Sequence, residues 1–227
     1  MRTRREASEA FAKDAAEHVM AVVHESGMHR HLRCAKPGTS CYHFDIVTWP
    51  GYLAMTGDMG SWVFSREPDM FGWFRPGCGE RGINPQYWSE KLVAVEKSHR
   101  NGMSFEEYDG DACRLTVARH WRDWLRERGP ITGAEGIAAT LDHRRAVREL
   151  LASIEGAQDA NEAGELLNNF DPDDAGGFNP ADEYWDWLYA QTRYTFHFLW
   201  ACHAIVWAIA RYDEMKHAAA QATAVTP

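Results

Sequence analysis

The 227 residues contain no nucleophile elbow, no phosphate-binding loop and no HExxH helix, which sets aside the serine-hydrolase, P-loop and zincin classes at the outset. There is no stretch suited to a bilayer. The best candidate, residues 194–210 (YTFHFLWACHAIVWAIA), is short for a span and carries His197 and His203 inside it, so a buried core helix and no membrane partner are expected. The opening MRTRREASEAFAKD has bases but neither an apolar core nor a small-residue cleavage site, and reads as the lead into a helix rather than a secretion signal. Cysteine is sparse. Five residues, an odd number with no tight C-x-x-C pair, point to free thiols in a reducing compartment, and a cytoplasmic location is expected. No internal repeat and no long low-complexity tract occurs.

A basic excess is also missing. The net charge is -9, and residues 155–227 hold twelve acids against three bases, so the first 154 residues balance at 21 of each. A general nucleic-acid binder of high pI is therefore not indicated.

What the chain has is apolar and aromatic material: 45% hydrophobic residues, with ten Trp, ten Phe and eight Tyr, enough to bury a core. Residues 5–25 show helical spacing, with Phe11, Ala15, Val19, Val22 and Val23 on one side. The period then changes. HRHLRC, CYHFDIVTW, GYLAMT and SWVFS read as four short strands separated by turn-forming residues, which predicts an antiparallel meander within 29–65. Asn84-Pro85 caps a helix expected over PQYWSEKLVAVEKS. Further helices are expected over 115–128, 134–154 and 161–167, and one or two over 182–213, with Phe196, Leu199, Trp200 and Trp207 in the core. The fold class is α+β. Residues 1–100 form a mixed helix-and-meander part, and 101–227 a helical part packing on it as one continuous unit.

Several clusters carry chemistry. If Cys34 and Cys41 face each other across the KPGTS turn, strand alternation places Cys34, Cys41, His43 and Asp45 on one face, a donor set for zinc. Buried thiols and sheet-surface histidines account for the same residues, and a one-residue slip regroups them all. Gly77, Gly79 and Gly82 spell G-x-G-x-x-G, but the strand and helix that motif needs are not expected around it. Asp171, Asp173, Gly176 and Asp182 match positions of a calcium loop that lacks its bidentate glutamate. Arg119, Arg122 and Arg126 share a helix side opposite Trp121 and Trp124, and Arg145 follows on the next helix. They form either a phosphate- or protein-binding stripe or a solvated charged face. For a catalytic role, His31 and Arg33, two apart on a strand, combine with Asp58 from the turn at 57–60, supplying a proton-exchanging ring, an anion fork and an orienting carboxylate. The bland account makes His31 and Arg33 surface residues and Asp58 a turn stabiliser.

HRHLRC, PGTSCYHFDIVTWPGYLAMTGDMGSWVFSR, DMFGWFR, INPQYWSEK and HFLWACHAIVWAIARYD together resemble a group of uncharacterised tailed-bacteriophage and prophage proteins. The match is strongest over 29–66, and the strand at His31–Arg33, the turn at 57–60 and the segment 84–88 look like its shared elements. The cysteines stand outside that pattern, which weighs against zinc. The resemblance implies a phage or prophage origin and action inside an infected bacterium; it implies no activity and no catalytic residues. Three classes follow. The first is an accessory protein that binds a host macromolecule, with a host bacterial protein as partner, in counter-defence or host takeover. The second is a small enzyme or metal-binding protein using the histidine-rich meander. The third is a nucleic-acid-binding accessory protein using the arginine helices.

Overall fold

The computed structural model of the chain describes residues 4–75, 82–96, 105–128, 134–182 and 184–225. It is an α+β protein built around a six-stranded antiparallel sheet. The chain runs α1 (Arg4–Asp14), β1 (Val19–Ser26), β2 (His29–Ala35), β3 (Phe44–Trp49), β4 (Tyr52–Gly57), β5 (Gly60–Ser65), α2 (Met70–Phe74), α3 (Pro85–Ser89) and β6 (Leu92–Val95). It continues through β7 (Glu106–Tyr108), α4 (Gly110–Arg128), α5 (Ala134–Gly156), α6 (Ala160–Asn168), three 3-10 turns, β8 (Thr192–Tyr194) and α7 (Phe196–Val225). Strands β1 to β6 lie in sequence order, so the expected meander over 29–65 is present as β2–β5.

Four strands were not expected: β1 and β6 at the two edges of the large sheet, and β7 and β8, which pair with each other. The helical spacing read through residue 25 ends at Asp14, and Val19–Ser26 is strand β1. The run VMAVV is rich in β-branched residues, whose stiff side chains favour a pleated surface. Paired with β2, it sends Met20 and Val22 toward the core and leaves Val19 and Ala21 outside. Likewise the helix over PQYWSEKLVAVEKS stops at Ser89, and Leu92–Val95 completes the sheet against β5.

Alternation along each strand sorts the sheet into two faces. Leu32, Cys34, Phe44, Ile46, Leu53, Met55, Trp62 and Phe64 are buried on the inner face, packed with α1, α2 and α7. From Phe198 to Ile209 helix α7 is buried nearly all round, as a helix through a core must be. This explains its apolar sequence, and no described helix is long and apolar enough to cross a membrane. Leu199 and Trp200 are buried as expected, whereas Phe196 and Trp207 are half-buried. At one end of the inner face, Arg30 makes paired hydrogen bonds of 2.8 and 3.0 Å to Asp69, which also caps α2. Its guanidinium lies 4.6 Å from the Phe71 ring centroid.

The chain divides into two compact units: Met1–Glu106 with Tyr194–Pro227, and Glu107–Arg193. The final helix thus belongs with the sheet, not with the helices that precede it in sequence. The second unit has its own core, with Cys113, Val117 and Trp121 of α4 against Val147, Leu150 and Ile154 of α5 and with Leu167, Phe178, Tyr184 and Leu188.

Candidate functional site

The outer face of the sheet holds the candidate site. Register places Ala21, Arg33, Asp45, Thr56 and Ser61 in one row across five strands. His24, His31, Val47, Ala54 and Val63 form the next row. None of Val47, Ala54 and Val63 belongs to either buried cluster, and each stays partly exposed.

His31 and Arg33 do share a face, as expected for residues two apart. They meet on Asp45 of the neighbouring strand: His31 Nε2 lies 3.0 Å from Asp45 Oδ1, and Arg33 Nη1 3.8 Å from Asp45 Oδ2. Asp45 is the least exposed of the three, at 14% of its side chain. On either side the surface is hollowed. One groove of about 470 Å³ is lined by His24, His29, His31, Val47 and Trp49 among others. The second, about 510 Å³, runs past Val19, Ala21, Arg33 and Lys36. Trp49 stacks on Tyr52 with centroids 5.2 Å apart, giving the first groove an aromatic rim. Chemically the arrangement offers an imidazole oriented by a carboxylate, a guanidinium fork and apolar floor on both sides, suited to gripping a polar group within a broader contact.

Asp58 does not join this group. Its carboxylate accepts the Tyr42 N–H at 2.6 Å and lies 3.1 Å from His43 Nδ1. Tyr42 has a left-handed backbone, φ 58°, unusual for a bulky residue, and Asp58 holds that turn in place. Gly57 beside it is required by close approach: a Cβ there would collide with the His43 carbonyl oxygen and the Phe44 Cα.

The zinc set is not assembled. Cys34 pairs with Phe44, so Cys34 points into the core while Asp45, one residue on, points out. Cys41 is exposed in the connection before β3, and His43 is engaged with Ser40 and Asp58. The condition for a zinc set, Cys34 facing Cys41, is therefore not met, because the register matches apolar side chains rather than thiols. Among the described residues no group of His, Cys, Asp or Glu is arranged to hold a metal ion. Burial pushes the Cys34 thiol up to about 12 and raises Cys113 and Cys202 as well. A maleimide should accordingly label Cys41 in the native protein well ahead of Cys34, Cys113 and Cys202, with peptide mapping as readout. Equal labelling of Cys34 and Cys41 would contradict the inward orientation of β2.

The calcium-like spacing resolves into local contacts: Asp171 caps a 3-10 turn by accepting the Asp173 N–H at 2.9 Å, and Asp182 accepts from the Asn179 side-chain amide at 2.6 Å. Gly77 and Gly79 of the glycine motif lie outside the described residues. Arg119, Arg122 and Arg126 are exposed on the α4 side opposite its buried stripe, and Arg145 lies on the α5 side opposite Val147, Leu150 and Ile154. Because the two buried stripes pack together, these arginine faces point in different directions and do not form one surface. Arg126 and Arg145 are further occupied by Asp123 and Asp142, at 2.9 and 3.0 Å.

Asp45 was assigned to the wrong set by sequence reasoning, yet a signal existed. Aligning Leu32 and Cys34 with Ile46 and Phe44, apolar against apolar, sets Arg33 opposite Asp45. Fold and site together describe an α+β protein with one sheet face sealed by helices and the other bearing a His–Asp–Arg cluster between two grooves. No known protein family, curated protein or solved structure matches the chain.

Proposed function

We propose that this is a phage or prophage accessory protein that acts in the cytoplasm of the bacterial host by binding a host protein, in counter-defence or host takeover, through the outer face of its sheet. The observation that carries the reading is the row His24–His31–Val47–Ala54–Val63, partly exposed across five strands and flanked by two grooves. A mixed apolar and polar surface of this breadth suits a protein partner, in which apolar contacts supply affinity and a few polar groups set register. Nucleic acid is less well served, because Arg33 shares its face with Asp45 and the arginine faces of α4 and α5 diverge.

The test is a V47E/A54E variant beside the unaltered protein, each captured from host lysate, with the recovered partner then purified and its binding measured directly. The variant should keep its melting temperature and weaken the purified complex by about a hundredfold, as expected when charges enter an interface core. Equal affinity of both proteins for the partner would remove the outer face from consideration.

A second reading rests on the 3.0 Å His31–Asp45 contact: a small enzyme in which His31 moves a proton and Arg33 holds an anionic group. An H31A/R33A variant separates the two. A binding function should survive it with a modest loss of affinity, whereas a catalytic one should be abolished in infected cells.

A further inference from the structure

We propose that the Trp185–Tyr189 surface of the second unit is a docking platform for a positively charged, arginine-bearing segment of a protein partner. The surface belongs to the second unit and the outer face of the sheet to the first, and the argument for it is independent.

Two 3-10 turns, Tyr184–Asp186 and Leu188–Ala190, build it. Tyr184 and Leu188 take the inward positions and are 1% and 0% exposed, while Trp185 and Tyr189 are turned outward at 61% and 51%. The outward rings lie nearly parallel, with centroids 6.0 Å apart and planes 16° apart. They are held from below. Trp185 packs 4.3 Å from the Tyr184 ring, which lies against Gly164 of α6. The Tyr184 hydroxyl accepts from Asn168 at 2.6 Å, and the Tyr189 hydroxyl donates to Asn161 at 3.1 Å. Two large aromatic faces are thus fixed in solvent, which is the costly arrangement a recognition surface shows.

The charge around them selects the occupant. Residues 155–193 contain ten Asp and Glu and a single base, Arg193, and Arg193 is paired with Glu107 at 2.8 Å. Asp159 and Glu162 are occupied in capping α6. Asp186, within the first turn, and Glu165, one helical turn beyond Asn161, are exposed and make no ion pair among the described residues. Aromatic faces attract cations through their quadrupole, and a planar guanidinium stacks on them while its edge donates to carboxylates at the rim. Phosphates would be repelled by the same carboxylates, so nucleic acid and anionic lipid are disfavoured. Arginine fits better than lysine because only arginine both stacks and forks.

The probe is a fluorescently labelled oligoarginine peptide, followed by anisotropy, with an oligolysine of equal length for comparison. The oligoarginine should bind more tightly than the oligolysine. Affinity should fall about tenfold in W185A/Y189A, from loss of two cation–π contacts. In E165Q/D186N it should fall at low salt and depend less steeply on added salt than in the unaltered protein. Both pairs are exposed, so an unchanged melting curve certifies each variant. Undiminished binding to W185A/Y189A, equal affinity for the two peptides, or no binding by the unaltered protein would each overturn the proposal.

Discussion

Trp200→Ala should destabilise the sheet-containing unit by about 3–5 kcal/mol, the range for deleting a large aromatic from a packed core. Trp200 is 0% exposed on α7. Its ring meets Phe11 of α1 edge-on at 5.0 Å and Phe44 of β3 at 5.7 Å. Its indole N–H also donates to Asp14 at 3.2 Å. One side chain therefore joins three elements distant in sequence, and alanine would leave a cavity between the sheet and two helices while stranding the Asp14 carboxylate. Denaturant unfolding gives the measurement; a loss below about 1 kcal/mol would mean that α7 does not seat on the sheet in this way.

Arg30→Met should cost about 2–3 kcal/mol, somewhat less than the loss typical for breaking a fully buried pair, because Asp69 is partly exposed. Arg30 occupies an inward strand position among apolar neighbours, and its side chain is 10% exposed. Methionine keeps the stem but removes the two hydrogen bonds to Asp69 and the stacking on Phe71, and Asp69 loses the partner that holds α2 against the sheet. The same corner predicts a pH dependence. The hydrogen bond from Arg30 holds the Asp69 carboxyl below its usual range; Arg75 does the same for Asp213, and Tyr212 followed by Lys216 for Glu25. Groups depressed in the folded state contribute stability that is complete above their unfolded pKa and is lost as pH falls through the folded value. Stability should therefore decline below about pH 4. In Arg30→Met that decline should be shallower, since the Asp69 contribution is already gone. Parallel acid limbs for the two proteins would contradict this account of the Arg30–Asp69 pair.

Much of this architecture was legible in local pattern. The alternation in HRHLRC and FDIVTW, with turn residues between the strands, is enough for the meander, because period-two burial leaves no other economical pairing. Caps such as Asn84 ahead of Pro85 marked where a helix begins. Where it ended was harder to see: LVAV follows PQYWS without a breaker and becomes strand because β5 offers an open edge. The same holds for Val19–Ser26, where spacing coincident with a helical face concealed a β-branched strand.

At the site the division is sharper. That His31 and Arg33 share a face follows from their spacing alone. Which carboxylate they meet is a matter of register, and the choice between Asp58 and Asp45 turned on burying Cys34 against Phe44 rather than pairing it with Cys41. Local preference determined strands β2–β5, most of the helices and the apolar character of α7, since these depend on residues a few positions apart. The tertiary structure alone decided register, the return of α7 to the first sheet and the exposure of Trp185 and Tyr189, because each rests on burying apolar surface between segments far apart in the chain.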